Sequence, residues 1–176
     1  MTKLSFSQAR FIRRPIFIRG RKSLCGCRGL TTGRFCRFDL ESSKKTLYIG
    51  DNCEMGDMTH IVAYNSVKIG DNVLIASKCF ISDTSHGSYN GENQDSPDIP
   101  PNHRNLITKP VKIGNIVWIG ENSVILGGSD IGNGCIIVAN SVISSFIPDN
   151  CIVIENGKII KKFNLRSKLW ETVYHG

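Results

Sequence analysis

No apolar run in this chain of 176 residues approaches the roughly 18 uninterrupted residues that suggest a membrane span. The basic start, MTKLSFSQARFIRRP, also lacks the continuous apolar segment of a secretory signal. A soluble, cytoplasmic protein is therefore expected. The seven cysteines, at positions 25, 27, 36, 53, 79, 135 and 151, are odd in number and scattered, which argues against a disulfide framework. Cys25 and Cys27 form a C-x-C pair, but no second close pair completes a four-ligand zinc site. No metal is expected, and the cysteines read as small residues filling a narrow core. Aromatic residues are not interleaved with the basic ones in the pattern that stacks bases, so nucleic acid is not an expected partner.

What is present is an uneven charge and a repeat. Residues 1–48 hold twelve Lys/Arg against Asp39 and Glu41, a balance of +10, so residues 49–176 carry −3 of the net +7. The basic end suits an acidic glycan or an anionic membrane surface, or is a solvated face. The length fits one domain over 1–176.

From Ile49 onward aliphatic residues recur every six positions, at Ile49, Met55 and Ile61. After two extra residues they recur at Ile69, Ile75 and Ile81, and after a gap at Ile113, Ile119, Ile125, Ile131, Ile137 and Ile143. The next position is usually small (Gly50, Gly70, Ala76, Gly114, Gly120), as is the fourth after it (Cys53, Thr59, Cys79, Ser123, Cys135, Ser141). Neither a 3.6-residue period nor simple alternation gives this register. Each hexad reads as one short strand and a tight corner of a solenoid, with the branched residue stacking inward on its counterpart one coil away. Ile12, Ile18, Leu24, Leu30 and Cys36 keep the spacing, so the solenoid is expected over about 10–162, with 37–48 as a looser connection. In the tail, Leu165, Leu169 and Val173 share one helical face behind a cap at Asn164, which predicts a short helix over 164–174.

The lattice stops between Ile81 and Val111 for a polar, proline-containing segment, an inserted loop over 87–110. A loop this long inside a regular repeat points to function. It opens with Ser82-Asp83-Thr84-Ser85-His86-Gly87 and re-enters through Ile113-Gly114-Asn115-Ile116-Val117-Trp118-Ile119-Gly120. With three hexads per coil, these motifs resemble the hexapeptide-repeat acyltransferases, in the xenobiotic and galactoside O-acetyltransferase branch. The likeness runs from about Ile49 to Lys162 and is closest to members serving bacterial surface polysaccharides. It implies an all-β fold, a single-stranded left-handed parallel β-helix. The hand comes from the resemblance alone, because parallel crossovers are ordinarily right-handed.

The resemblance further implies acetyl transfer from acetyl-coenzyme A to a sugar hydroxyl, in a homotrimer with sites between subunits. It makes His86 the general base, a role suited to an imidazole titrating near neutrality, rather than a histidine merely hydrogen-bonded at the loop root. Asp83, Glu92, Asp95 or Asp98 could orient its ring. Asp83, Tyr89 and Asn90 are candidate acceptor contacts. Trp118, Ala139, Ser144, Ser145, Lys158 and Lys161 match coenzyme-binding positions, although V-I-E-N-G-K-I at 153–159 lacks the family's proline and is one residue shorter. The basic N-terminal coils could also bring a membrane-bound glycan carrier into peripheral contact near the site. The alternatives are N-acetylation of an amino sugar and a non-catalytic glycan-binding solenoid. Trimeric carbonic anhydrase chemistry needs a close histidine pair, which His60, His86 and His103 do not provide.

Overall fold

The computed structural model describes residues 6–174. Short strands succeed one another on three faces of a coil. The first face runs from Phe11–Ile12 and Thr31–Thr32 through Leu74–Ile75 and Trp118–Ile119 to Cys151–Ile154. The second stacks Ile16–Arg19, Cys36–Leu40, His60–Ala63, Phe80–Ser82, Val124–Ile125 and Val142–Ile143. The third runs from Leu24–Gly26 through Val111–Ile113 to Phe146–Ile147. Successive coils pair in parallel, with Ile61, Ile81, Ile125 and Ile143 in one register column and Ile75, Ile119 and Ile137 in another. These columns are fully buried, and each such side chain contributes about 1.5–3 kcal/mol of burial.

The corners are built from short polar residues. Where the third face turns into the first, each coil's backbone N–H is capped from the coil below: Asp51 N by Asp71, Asp71 N by Asn115, Asn115 N by Asn133 and Asn133 N by Asp149. The left-handed residue of the same corner is Asn52, Asn72, Gly134 or Asn150, types that tolerate this conformation, and Ile116 in the coil that follows the insertion. Small residues are needed where coils touch. At Gly120 a Cβ would run into the Ala139 backbone of the next coil. The thiols of Cys53, Cys79 and Cys135 point at carbonyls of the following coil, 3.1, 3.2 and 3.1 Å away. The seven cysteines are free.

Two expectations are corrected. Residues 37–40 are not a loose connection: Cys36–Leu40 registers with both neighbouring coils, and the connection is 41–46. The N-terminal period also changes phase. Ile12 and Ile18 share the columns of Met55 and Ile61, whereas Leu24 pairs with Leu47, two residues ahead of Ile49. A short 3-10 turn at Arg21–Ser23 takes up the difference.

The second correction concerns the tail, which is not helical. Lys158–Asn164 folds back antiparallel on Cys151–Ile154, and Leu169–Thr172 pairs antiparallel with it in turn. Phe163 and Trp170 meet edge to face with centroids 5.3 Å apart. The last coil exposes unpaired backbone groups that recruit the following segment as a strand. Leu165 and Leu169 stay exposed, so the stripe read for a helix is not buried. Asn164 accepts from the Arg166 and Ser167 N–H groups, capping a hairpin turn rather than a helix.

Candidate active site

The insertion leaves the second face after Phe80–Ser82 and is ordered from its root. Thr84–His86 and Leu106–Thr108 form an antiparallel hairpin in which His86 stands opposite Leu106. The first stem begins before the expected loop boundary at 87, and the second lies within the expected 87–110. The Gly87 N–H closes the hairpin on the Asn105 carbonyl at 2.8 Å, with φ of 99°. A side chain at position 87 would press on the Tyr89 hydroxyl and the Arg104 stem. The Tyr89 hydroxyl donates to the His86 carbonyl and accepts from Arg104 Nη1 at 2.7 Å. Arg104 also donates to the carbonyls of Ile99 and Pro97, which gathers the loop around one guanidinium.

The Asp83 carboxylate is turned away from substrate and from the histidine ring and is held by backbone donors. The residue is 1% exposed. Its Oδ1 accepts the Tyr64 N–H at 3.0 Å, and its Oδ2 accepts those of Asn65 and Ser66, both at 2.7 Å. Its main-chain carbonyl accepts the Lys109 N–H at 2.9 Å, which joins the two stems of the insertion. The expectation of an acceptor contact or ring partner at Asp83 therefore gives way to a structural role, since both oxygens are spent on backbone donors.

The other proposed ring partners are elsewhere engaged or unattached. Asp95 accepts the Ser88 N–H, and Asp98 accepts from the Ser96 hydroxyl. His86 is exposed. Of the other three histidines, His60 bonds Asp39, His103 sits in the exposed turn Pro101–His103, and His175 lies outside the described residues.

A groove of about 500 Å³ opens beneath the hairpin, lined by Ser85, Tyr89, Asn90, Lys109, Gly127 and Ser144. Four sequence-predicted residues border it, Asp83, Tyr89, Asn90 and Ser144, although the Asp83 carboxylate is spent on backbone donors. Lys109 and Gly127 were not anticipated. Their only signal was position, beside the Pro110 re-entry and in the corner one coil below. His86 is not among the lining residues.

The remaining candidates lie on other corners of the same chain. Trp118 is 49% exposed on the first face, in register between Leu74 and Ile136. Ala139 follows the next strand down, one coil below Gly120. Ser145 lies near the terminal hairpin turn, its Oγ 3.3 Å from where a Cβ of Gly157 would stand. That turn has left-handed backbone at Glu155 and Gly157. Lys158 is exposed beside it, and Lys161 is half-buried opposite Ile152. Among the described residues no group of three His, Cys, Asp or Glu is placed to hold a metal, and no helix is long and apolar enough to cross a membrane.

A parallel three-faced solenoid, built on hexads and interrupted by a histidine-bearing hairpin over a polar groove, defines the class of hexapeptide transferases. The family description "bacterial transferase hexapeptide (six repeats)" matches residues 110–145. A putative lipopolysaccharide biosynthesis O-acetyl transferase of Escherichia coli K12 is 40% identical over 173 residues, 97% of this chain and 88% of the relative. The galactoside O-acetyltransferase of the same organism is 34% identical over 69% of this chain and 57% of its own length. Among solved structures, a hexapeptide-repeat acetyltransferase of Vibrio cholerae complexed with acetyl coenzyme A has a TM-score of 0.65 at 27% identity, covering 82% of this chain and 74% of that one. An N-acyltransferase from Bacillus cereus has a TM-score of 0.76 at 20% identity, over 94% and 88% of the two chains, a likeness of fold. The chain belongs to the hexapeptide-repeat acyltransferase family, in the branch of the galactoside O-acetyltransferase, and is an acetyltransferase.

Proposed function

We propose that the protein transfers an acetyl group from acetyl-coenzyme A to a hydroxyl of a sugar destined for a bacterial surface polysaccharide, working in the cytoplasm with His86 as general base. The observation that carries this reading is the hairpin itself: among the described residues, the one long insertion of the repeat presents an exposed histidine beside a groove of hydrogen-bonding side chains. Such groups suit several hydroxyls. The relative associated with lipopolysaccharide biosynthesis, alike over nearly the whole chain, supports the acceptor class.

In this reading the His86 imidazole takes the hydroxyl proton as the oxygen attacks the thioester carbonyl, forming the ester C–O bond. The C–S bond then breaks and the proton passes to the departing thiolate. Both substrates are bound together, and the protein supplies positioning and desolvation. As the family resemblance implies, we place the working site between neighbouring subunits of a homotrimer. Trp118, Ala139, Ser144, Ser145, Lys158 and Lys161 are then assigned to the coenzyme.

The test is His86→Ala, expected to fold normally and lose transfer by roughly 10²–10⁴-fold. Near-native turnover in that variant would refute the base assignment. Product linkage tests the acceptor. An acetyl ester is lost in mild alkali, and alkali-stable product formed from amines alone would replace the hydroxyl reading by N-acetylation.

A further inference from the structure

The second face carries two outward columns. Phe17, Arg37, His60 and Phe80 succeed one another in register in the first, and Arg19, Asp39, Val62 and Ser82 in the second. Ser82 lies two residues before the hairpin strand that bears His86, so both columns lead from the N-terminal coils to the root of the candidate site. With neighbouring strands about 4.8 Å apart, the Arg37 row stands roughly 10 Å from the Phe80 row.

Asp39 organises the upper end. It belongs to an outward column yet is 8% exposed. Its Oδ2 accepts from Arg37 Nε at 2.6 Å and pairs with His60 Nε2 at 3.0 Å, and its Oδ1 lies 3.7 Å from Arg19 Nε. Burial opposes its charge, but the bonds from Arg37 and His60 and the two guanidinium charges hold its carboxyl below the ordinary range. One carboxylate thus fixes two guanidinium groups and leaves an excess of positive charge. Both arginines approach it through Nε, and among the described contacts their terminal nitrogens have no partner. The His60 ring rests against Phe80 at 5.2 Å.

Above this pair of forks opens a groove of about 740 Å³ with aromatic walls. Phe17 is 55% exposed and Phe35 49%. Phe35 occupies the left-handed corner that Met58, Lys78 and Asn122 repeat in the following coils, and its half-exposed ring stands at the rim of the groove.

We propose that this groove is a subsite for the diphosphate of an activated acceptor, with Arg19 and Arg37 on the phosphate oxygens and Phe17 and Phe35 against the group the diphosphate carries. Planar guanidinium forks match phosphate oxygens in geometry and charge. The aromatic walls give a nucleobase a stacking surface and an isoprenoid an apolar one. The sugar would then reach down the columns to the hairpin. This inference rests on the reading of the hairpin as a sugar-acetylation site and narrows that acceptor to one carrying a diphosphate.

The test is calorimetric titration of the full chain, saturated with coenzyme A, using inorganic pyrophosphate, uridine diphosphate and farnesyl diphosphate as probes. Pyrophosphate and at least one of the two esters are expected to bind. Arg19→Gln with Arg37→Gln should weaken them about tenfold or more, leaving coenzyme A affinity unchanged. Arg19→Gln alone removes a side chain 70% exposed and should weaken binding several-fold without disturbing the fold. A tighter uridine ester identifies a nucleotide carrier, and a tighter farnesyl ester a lipid carrier. Absence of binding at millimolar probe, or a double variant that binds like the native protein, overturns the proposal. Diphosphate binding with no acetyl transfer to any sugar would leave this subsite standing and sink the transferase reading. Transfer to free sugars without diphosphate binding would do the reverse.

Discussion

Replacing Asp83 by alanine removes the carboxylate that caps three backbone N–H groups at the insertion root. Hydrogen bonds to a charged acceptor contribute about 1.5–3 kcal/mol each. Tyr64, Asn65 and Ser66 are only half-buried, so water recovers part of the loss and about 1 kcal/mol per donor is the better figure, about 3 kcal/mol in all. For a chain of this size that lowers the melting temperature by about 6–12 °C. Asp83→Asn should fall between, because its single carbonyl oxygen can serve the two donors now on Oδ2 while its amide group faces the Tyr64 N–H. The assay is thermal unfolding followed by circular dichroism at fixed protein concentration, since assembly shifts apparent stability. Well below the transition, kcat should drop while the KM for acetyl-coenzyme A holds, because the hairpin bearing His86 loses its anchor. An alanine variant melting within about 2 °C of the native protein would refute the reasoning.

The cysteines should be nearly silent to thiol reagents in the native protein, with one fast group, the half-exposed Cys25, and seven after denaturation. Burial pushes the Cys27 thiol up to about 12 and the Cys36 thiol to about 11, so full stability is kept below about pH 9 and lost as pH rises through those folded values. Labelling counts and melts between pH 8 and 11 check both statements. Trp118→Ala should leave the melting temperature within a few degrees, since the side chain is half exposed, and should raise the KM for acetyl-coenzyme A about tenfold, the equivalent of an aromatic contact worth about 1.5 kcal/mol. An unchanged KM would remove Trp118 from the coenzyme site.

The hexads were legible because each imposes two local demands, an aliphatic residue inward and a small one at the corner; Ile113 to Ile143 meet the first without a break and the second except at Leu126 and Val138. The tail was not legible. Its residues satisfy a helical stripe and a strand alternation equally, and the choice is made by the unpaired edge at Cys151–Ile154. Asp83 misled for a related reason. A carboxylate three residues before a histidine reads as its partner, but the donors that claim it belong to residues 64–66, a coil earlier. The Arg37–Asp39–His60 cluster was equally hidden, because parallel register across two coils, rather than sequence spacing, brings its members together.

The irregularities of the repeat share one corner, between the second and third faces. The first coil widens there with the turn at Arg21–Ser23, the second with 41–46, the third with the two extra residues that deliver Tyr64–Ser66, and the fourth with the whole insertion. These widenings are bonded to one another. The Ser23 hydroxyl donates to the Glu41 carbonyl, the Glu41 N–H to Ala63, and the Val67 N–H to Thr46, while the Asp83 carboxylate receives the three donors of the third coil. Below the insertion the corner closes again, so that Val142–Ile143 passes through Ser144 and Ser145 directly into Phe146–Ile147. A corner cannot widen at one coil without leaving unpaired backbone groups on its neighbours. Widening in three successive coils answers that cost and ends in a ready-made set of donors, on which the hairpin carrying His86 is seated by a single buried carboxylate.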